Sequence, residues 1–289
     1  MKPSIFDTHC HVNFKAFNDD ASEVIKRCLD EQVWLTNIGT DYKTSSSAIA
    51  LAEQYPEGVF ASVGLHPVHV VNTQIDEEMG KTRHKFMTKG ERFDLTSYRE
   101  LAKHPKVVAI GEIGLDFYRR KEDLRSEAEW QAVVKAQEED FVKQLDLGDE
   151  LGKAILIHCR NAHEEILKVL EARYGSAPRV SRGRGIAHFF TGTFEQAERY
   201  WQLGFYIAFG GAITFVEEYQ NLVKQIPLER MVIETDAPYV TPVPHRRERN
   251  EPSYIKFVAS KIAELKGVSE QEVAAVTTQN AFRVFNLSK

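Results

Sequence analysis

The sequence FDTHCHVNF, residues 6–14, ends the first apolar run of the chain and places two histidines one residue apart. In a β-strand, successive side chains point to opposite faces. Asp7, His9 and His11 therefore share one face of the predicted strand, and the residues between them share the other. Two imidazole rings on one face can bind a metal ion, because neutral histidine is the commonest metal ligand. The stretch predicts a first strand whose carboxyl end carries metal ligands.

Short apolar runs alternate with amphipathic segments along the whole chain, which is typical of parallel strands linked by helices. The predicted strands lie at residues 4–8, 33–38, 59–64, 107–111, 154–158, 185–189, 206–210 and 231–235. Eight such strands favour an α/β fold, a closed (β/α)8 TIM barrel of the metal-dependent hydrolase type, as a single domain over residues 1–289. Residues 71–95 are polar and weakly periodic, and we interpret them as an insertion in a loop.

The composition is that of an ordinary globular protein with a weak negative charge. The 289 residues have a formal net charge of −5, so contacts with nucleic acid must come from local clusters. Three cysteines without a CxxC pair argue against a disulfide framework and a thiolate zinc site. No run approaches the roughly 20 apolar residues of a membrane span, and the amino terminus lacks a secretory signal. We expect a cytoplasmic protein without a membrane partner; its oligomeric state, a monomer included, stays open.

Chemically active side chains lie at the carboxyl ends of six predicted strands, where TIM barrels carry their active sites. They are His9, His11, His66, Glu112, His158, His188 and Asp236. Each has an ordinary structural explanation when taken alone, such as a hydrogen-bonded core histidine or a helix cap. Their joint occurrence at one end of a barrel favours a functional site.

Histidine and carboxylate ligands bind divalent ions such as Zn, Mn, Mg, Co or Ni, and an open catalytic site uses about three protein ligands per ion. We predict two ions that share Glu112. His9 and His11 are predicted to bind one ion, and His158 and His188 the other. Two ions roughly 3.5–4 Å apart suit hydrolysis of a phosphodiester.

Two acidic residues near the end of the last strand complete the predicted centre. Asp236 is predicted to bind one ion and to orient or deprotonate the attacking water, which makes Asp236 and Glu112 the predicted catalytic residues. Glu234 lies on the same strand face as Asp236 and is predicted to orient a ligand without binding the ion itself.

Three further residues are predicted to contact the substrate. Arg160, two residues after His158, can present its planar guanidinium to a phosphate. His66, in the motif LHP, can contact a phosphate or assist the leaving group. Arg246 belongs to the cluster PHRRER, residues 244–249, which can guide a nucleic-acid backbone to the barrel mouth. The structural alternatives are surface ion pairs for the arginines and the fixing of a loop for His66.

The sequence resembles the TatD family of metal-dependent deoxyribonucleases, within the amidohydrolase superfamily. The motifs that carry the resemblance are DTHCH (7–11), VGLHP (63–67), AIGEIGLD (109–116), IHCR (157–160), ETDAPYVTPVPHR (234–246), RNEP (249–252) and TTQNAFRVF (277–285). The resemblance implies a (β/α)8 barrel that hydrolyses phosphodiester bonds in DNA with two divalent ions. It places the metal-site positions of the family at His9, His11, Glu112, His158, His188 and Asp236.

Four features depart from the family pattern. Phe189 stands where the family usually has cysteine, Arg247 where it has glycine and Glu248 where it has lysine. The insertion at 71–95 is longer than the family norm. None of these changes touches a predicted ligand.

Three functions have to be distinguished. The first is a two-metal phosphodiesterase acting on DNA, with ends of single strands favoured because a barrel mouth admits a strand end more easily than a duplex. The second is an esterase or amidase on a small or aminoacyl-tRNA-like substrate, since amidohydrolases act on these from the same scaffold. Many of them use a modified lysine where this chain has Glu112, which favours phosphoesters. The third is a non-catalytic binding module, which the presence of all six ligand types disfavours.

Overall fold

The computed structural model describes residues 2–79, 82–118, 126–177 and 182–287. Within these ranges, strands alternate with helices, apart from one β-hairpin and the last two helices, which follow each other directly. The strands are β1 Ile5–Cys10, β2 Val33–Ile38, β3 Val59–Val63, β4 Gln74–Met79, β5 Thr82–Met87, β6 Val107–Asp116, β7 Ala154–Arg160, β8 Gly185–Ala187, β9 Phe205–Phe209 and β10 Met231–Ile233. The helices are α1 Ala21–Asp30, α2 Tyr42–Glu53, α3 Leu95–Ala102, α4 Glu127–Leu151, α5 His163–Tyr174, α6 Phe194–Gln202, α7 Glu217–Gln225, α8 Ile255–Lys266 and α9 Glu270–Val284. In the ranges above, no helix has both the length and the apolar character of a membrane span.

Eight parallel strands form the main sheet in the order β1-β2-β3-β6-β7-β8-β9-β10. The two outer strands meet through the segment that follows β10. The Asp236 amide donates to the His9 carbonyl at 2.9 Å, and the His11 amide donates to the Ala237 carbonyl at 2.7 Å. The buried Asp7 carboxylate adds to this closure, because it accepts hydrogen bonds from the amide and the hydroxyl of Thr235. The predicted (β/α)8 barrel is confirmed.

The strands are buried on both faces. Adjacent residues such as Ile155 and Leu156 belong to two different apolar clusters, since side chains alternate between the faces of a strand. One cluster fills the space between strands and helices. The other includes Phe6, whose ring lies 6.0 Å from Phe282 and 5.6 Å from Phe285. The carboxyl end of α9 is thereby held against the strands.

A glycine allows β6 and β7 to approach each other where the predicted ligands lie. Gly114 has φ of +149°, and a Cβ at this position would lie 2.0 Å from the carbonyl oxygen of His158. Only glycine fits this spacing. The close approach brings Glu112 of β6 beside His158 of β7.

Two buried glutamines of α4 hold the loops at the carboxyl ends of β3 and β6. The Gln144 side chain accepts a hydrogen bond from the Leu65 amide at 2.7 Å and donates to the Leu65 carbonyl at 3.1 Å. Gln137 accepts from the Asp116 amide at 3.0 Å and donates toward the Pro67 carbonyl at 3.4 Å. The two glutamines are seven residues apart, about two helical turns, and therefore share one face of α4.

The region predicted as an insertion, residues 71–95, lies between β3 and α3 and contains an antiparallel hairpin. β4 pairs with β5, with Gln74 opposite Met87 and Ile75 opposite Phe86. Residues 80–81, at the tip, lie outside the described residues. The polar sequence predicts no sheet here; the pairing is local and rests on tertiary burial of Ile75, which is 1% exposed.

The loop after β10 turns at Arg247, which has φ of +75°. This is the left-handed region, where any residue with a Cβ is disfavoured relative to glycine. The family pattern has glycine at this position, and the positive φ supplies the physical reason. This chain makes the turn with an arginine.

Replacing Gln144 by leucine is expected to lower the free energy of unfolding by about 3 kcal/mol, because the amide and carbonyl of Leu65 lose their partners inside the protein. Urea denaturation measures the change. The control is Gln131→Leu on an exposed face of the same helix, where a change below about 0.5 kcal/mol is expected. Similar losses in both variants would contradict the role assigned to Gln144.

Replacing Arg247 by glycine is expected to leave the free energy of unfolding within about 1 kcal/mol of the parent. Relief of left-handed strain offsets the larger backbone entropy of glycine in the unfolded chain. Arg247→Val keeps the strain and adds a branched side chain, and it is expected to lower stability by about 1–3 kcal/mol. Urea denaturation of the three proteins tests both values, and equal stability of the two variants would contradict the argument.

Candidate active site

A cleft of about 930 Å³ opens at the carboxyl ends of the barrel strands. Predicted site residues that line it are His11, His66, Glu112, His158, Arg160, His188 and Asp236. His9 and Glu234 lie beneath this lining and are almost fully buried. The barrel therefore brings together nearly all the site residues that the sequence predicts at the strand ends.

Glu112 lies at the centre of the imidazole rings. Its Oε1 atom lies 2.7 Å from His158 Nδ1 and 3.5 Å from both His66 Nε2 and His188 Nε2. Its Oε2 atom faces the other way, 3.5 Å from His9 Nε2. Burial alone would raise the pKa of Glu112, but electrostatic interactions with His66 and His188 and the hydrogen bond with His158 lower it well below the ordinary value. The carboxylate is therefore ionised.

His9, His11 and Asp236 form one side of the centre. The Nε2 atoms of His9 and His11 are 3.2 Å apart, and Asp236 Oδ1 lies 3.4 Å from His11 Nε2. His11 Nδ1 lies 3.1 Å from the Ile38 carbonyl oxygen, which places the proton on Nδ1 and leaves the Nε2 lone pair free. Burial and the nearby His188 lower the pKa of His9. Burial therefore favours the neutral form of His9, and the contact with Ile38 orients the ring of His11.

His188 packs on His9 and is held by Glu234. The rings of His188 and His9 stack with centroids 3.5 Å apart, and His188 Nδ1 lies 2.9 Å from Glu234 Oε1. The same oxygen accepts a hydrogen bond from the Phe189 amide at 2.8 Å. Burial opposes charge on His188, but Glu234 and Glu112 outweigh it and raise the pKa to about 10. Glu234 orients the imidazole and directs Nε2 toward the centre.

Asp116 is a functional candidate that the sequence reasoning missed. His158 Nε2 lies 3.1 Å from Asp116 Oδ2, opposite the side where His158 Nδ1 meets Glu112. Although burial favours neutral imidazole, these two carboxylates raise the pKa of His158 to about 9. The signal was available in GEIGLD, since Asp116 lies four residues after Glu112 and so shares its face of the strand.

His66 presents a hydrogen-bond donor to the centre. The Val68 amide donates to His66 Nδ1 at 3.1 Å, which places the proton of the neutral ring on Nε2. Burial and the nearby His158 lower the pKa of His66 to about 4. The ring is neutral, and its Nε2–H points toward Glu112 Oε1.

Arg160 and Arg246 have different surroundings. The Arg160 guanidinium lies 3.6 Å above the ring of Tyr118, and both residues line the cleft. Arg246 donates to the Thr241 carbonyl and stacks at 3.9 Å on Phe215, outside the cleft lining. Arg160 therefore faces the cleft and Arg246 does not, and a substrate contact by either arginine stays a prediction.

Backbone strain is concentrated at the cleft. Four of its lining residues other than glycine have φ between +42° and +57°, namely Asn161, Phe189, Asp236 and Val240. Such conformations cost of order 1 kcal/mol or more each and persist where the surrounding structure holds them. They are typical of functional sites.

Among the residues that the structure describes, three groups of side chains could each hold a metal ion, with donor atoms within 4.8 Å of one another. They are His9, His11 and Glu112; His9, His188 and Glu234; and His66, Glu112 and His158. Within the described ranges, His9 Nδ1 and Glu234 Oε2 are buried without a hydrogen-bond partner. Imidazole nitrogens and carboxylate oxygens that converge in this way match the donor set of a divalent cation site.

The chain is similar along nearly its whole length to a family of known proteins. The family model described as TatD related DNase matches residues 6–286. The uncharacterized metal-dependent hydrolase YabD of Bacillus subtilis (strain 168) is 38% identical over 288 residues, which cover 98% of this chain and all of the relative. The 3′-5′ ssDNA/RNA exonuclease TatD of Erwinia tasmaniensis is 33% identical, with 98% and 100% covered.

A solved structure is similar to this chain over its full length. The crystal structure of YJJV, a TatD homolog from Escherichia coli K12, is 26% identical and matches over the full length of both chains with a TM-score of 0.80. These matches run almost end to end and include every strand that carries a site residue. The chain therefore belongs to the TatD family of metal-dependent hydrolases.

Proposed function

We propose that this protein is a deoxyribonuclease that cleaves phosphodiester bonds of single-stranded DNA from an end, with two divalent ions. The observation that carries the proposal is the position of Glu112 between two groups of imidazoles. Its Oε2 faces His9, while its Oε1 faces His158 and His188. A carboxylate whose two oxygens point to different sets of ligands is suited to bridge two ions.

The residues fit two ions that share Glu112. His9, His11 and Asp236 would hold one ion, and His158 and His188 would hold the other after losing the protons that the nearby carboxylates stabilise on them. The neutral state of His9 and the free Nε2 of His11 suit this role, because a metal ligand must be deprotonated. Glu234 orients His188, and Asp116 orients His158, each through the ring nitrogen that faces away from Glu112. When bound, the ions neutralise the phosphate and activate a water molecule for attack.

The side chains that face the cleft supply the remaining steps. Asp236 is ionised, because its contacts with His11, His188 and His9 outweigh burial and lower its pKa. Its side chain is 15% exposed, so it can orient the attacking water and accept its proton. Arg160 presents a guanidinium to the phosphate, with its orientation fixed by the ring of Tyr118. His66 offers its Nε2–H to a phosphate or leaving oxygen.

The choice of DNA rests on the family and on the cleft. The matching family is described as TatD related DNase, and the relative from Erwinia tasmaniensis is named as an exonuclease of single-stranded DNA and RNA. The cleft is lined by aromatic rings on which unpaired bases can stack. They are Phe14, Phe86, Tyr118, Phe189, Tyr219 and Tyr239. A cleft with this lining suits single strands better than a rigid duplex.

An assay of the purified protein with an end-labelled oligonucleotide, in Mg²⁺, Mn²⁺, Zn²⁺, Co²⁺ or Ni²⁺ and with or without chelator, tests the proposal. Glu112→Gln is expected to reduce the bound metal, measured by elemental analysis, and to lower the rate of cleavage at least 100-fold. The reason is that one bridging charge is lost. Glu248→Gln, an exposed glutamate outside the cleft lining, is the control. Near-normal metal content and activity in Glu112→Gln would contradict the bridging role proposed for Glu112.

The same assay separates the alternatives. Metal binding with hydrolysis of an aryl ester or an amide, and no cleavage of DNA or RNA, would favour the esterase or amidase function. Metal binding with no hydrolysis of either kind would favour the binding module. DNA and RNA oligonucleotides of matched sequence distinguish a deoxyribonuclease from a nuclease of broader range.

Arg160→Ala is expected to raise the KM for a single-stranded oligonucleotide about 10-fold and leave bound metal unchanged, because it removes a charge-assisted contact with phosphate. Arg160→Lys keeps the charge and loses the planar stack on Tyr118, so an intermediate KM is expected. Lys168→Ala on α5, an exposed cation outside the cleft lining, serves as the control. A KM of Arg160→Ala equal to that of the parent would show that Arg160 does not contact the substrate.

A further inference from the structure

The hairpin formed by β4 and β5 lines the same cleft as the metal-binding groups. Asp76 of β4 and Phe86 of β5 belong to the cleft lining together with His66 and Glu112. The acidic Asp76 is balanced by Lys85, whose Nζ lies 3.6 Å away. Phe86 therefore adds an aromatic surface to the cleft beside an acidic residue whose charge is paired.

The pairing of the two strands places Phe86 and Met87 on opposite faces of the hairpin. Residues directly opposite each other in an antiparallel pair share a face, so Phe86 lies on the same face as Ile75. Ile75 is 1% exposed, so this face packs against the protein, while Asp76 reaches the cleft lining from the other face. Met87, the next residue, lies on that other face, opposite Gln74, and is outside the cleft lining.

A row of rings leads from the metal-binding groups to Phe86. The centroids of His158 and His66 are 4.0 Å apart, those of His66 and His69 are 6.5 Å apart, and those of His69 and Phe86 are 6.4 Å apart. Phe86 thus lies three ring contacts away from His158. A phosphate held among the metal-binding groups is therefore separated from Phe86 by the rings of His66 and His69.

The hairpin is tied to the barrel at its base. The hydroxyl of Thr88 accepts a hydrogen bond from the Thr73 amide at 2.9 Å, and the Thr88 amide donates to the Thr73 carbonyl at 3.0 Å. The Glu91 amide donates to the His69 carbonyl at 2.8 Å. These bonds hold Phe86 in a fixed relation to His69 and so to the centre.

Phe86 and Tyr118 are the two aromatic residues of the cleft lining that count as exposed, at 39% and 42%. The Tyr118 ring is covered by Arg160. Among the described residues, the ring contact of Phe86 is the tilted one with His69. A large apolar ring exposed inside a cleft is a surface that a ligand can cover.

We propose that the β4–β5 hairpin binds the substrate and that Phe86 stacks on a base of single-stranded nucleic acid, at a nucleotide beyond the two that the cleaved bond joins. The inference rests on the proposed function and specifies its substrate: a strand of several nucleotides, not a lone phosphodiester. Stacking of bases on aromatic side chains contributes substantially to single-strand binding and tolerates any sequence.

The test compares the parent with Phe86→Ala, Phe86→Trp and Met87→Ala on three substrates. These are bis(p-nitrophenyl) phosphate, which reaches only the centre, a thymidine dinucleotide and a ten-nucleotide oligothymidylate. In Phe86→Ala, the KM for the ten-nucleotide strand is expected to rise about 10-fold. The KM for the two short substrates and the kcat for all three are expected to stay within about 2-fold. Phe86→Trp should retain the parent KM, and Met87→Ala should match the parent throughout.

The outcomes distinguish this inference from the proposed function. If the parent cleaves the ten-nucleotide strand and Phe86→Ala has the parent KM for it, stacking by Phe86 is overturned and the nuclease function stands. An equal rise in the KM for bis(p-nitrophenyl) phosphate in Phe86→Ala, or in the KM for the ten-nucleotide strand in Met87→Ala, would show a general disturbance of the hairpin. That result would also overturn stacking by Phe86. If the parent cleaves no oligonucleotide, the proposed function itself fails.

Discussion

The structure depends on one buried carboxylate, Glu112, that is compensated by imidazole rings. An isolated carboxylate in a protein interior is strongly unfavourable unless charges or hydrogen bonds offset the loss of water. His9, His66, His158 and His188 provide this compensation from four different strand ends. Those rings in turn require fixed orientations, because each must direct the correct nitrogen to the centre.

The barrel meets this requirement through groups that do not themselves reach the centre. Glu234 and Asp116 orient two of the imidazoles, and backbone groups of Ile38 and Val68 set the protonated nitrogen of two others. The glutamines of α4 hold the backbone on which His66 and Asp116 lie. A site of this kind is therefore a property of the whole fold, and its outer supports matter as much as its ligands.

The centre and the rest of the cleft have different origins. The charged centre lies on strands and their immediate ends, where the position of each atom is set by the sheet. The aromatic lining comes mostly from loops and from the β4–β5 hairpin, which can change in length without disturbing the barrel. In this chain the hairpin brings Phe86 into the cleft. The barrel strands position the charged centre, and the hairpin changes the surface of the cleft beside it.

The sequence by itself determined the barrel, the strand positions and the types of ligand, because side chains alternate along a strand and TIM barrels place their chemistry at one end. Only the tertiary structure decided which groups meet. It set His188 against His9 and Glu234, and it set His158 against His66 and Asp116. Such pairings depend on strand neighbours, loop paths and ring orientation across long sequence separations. No local pattern encodes them, and for the same reason the sequence did not reveal that Phe86 faces the cleft.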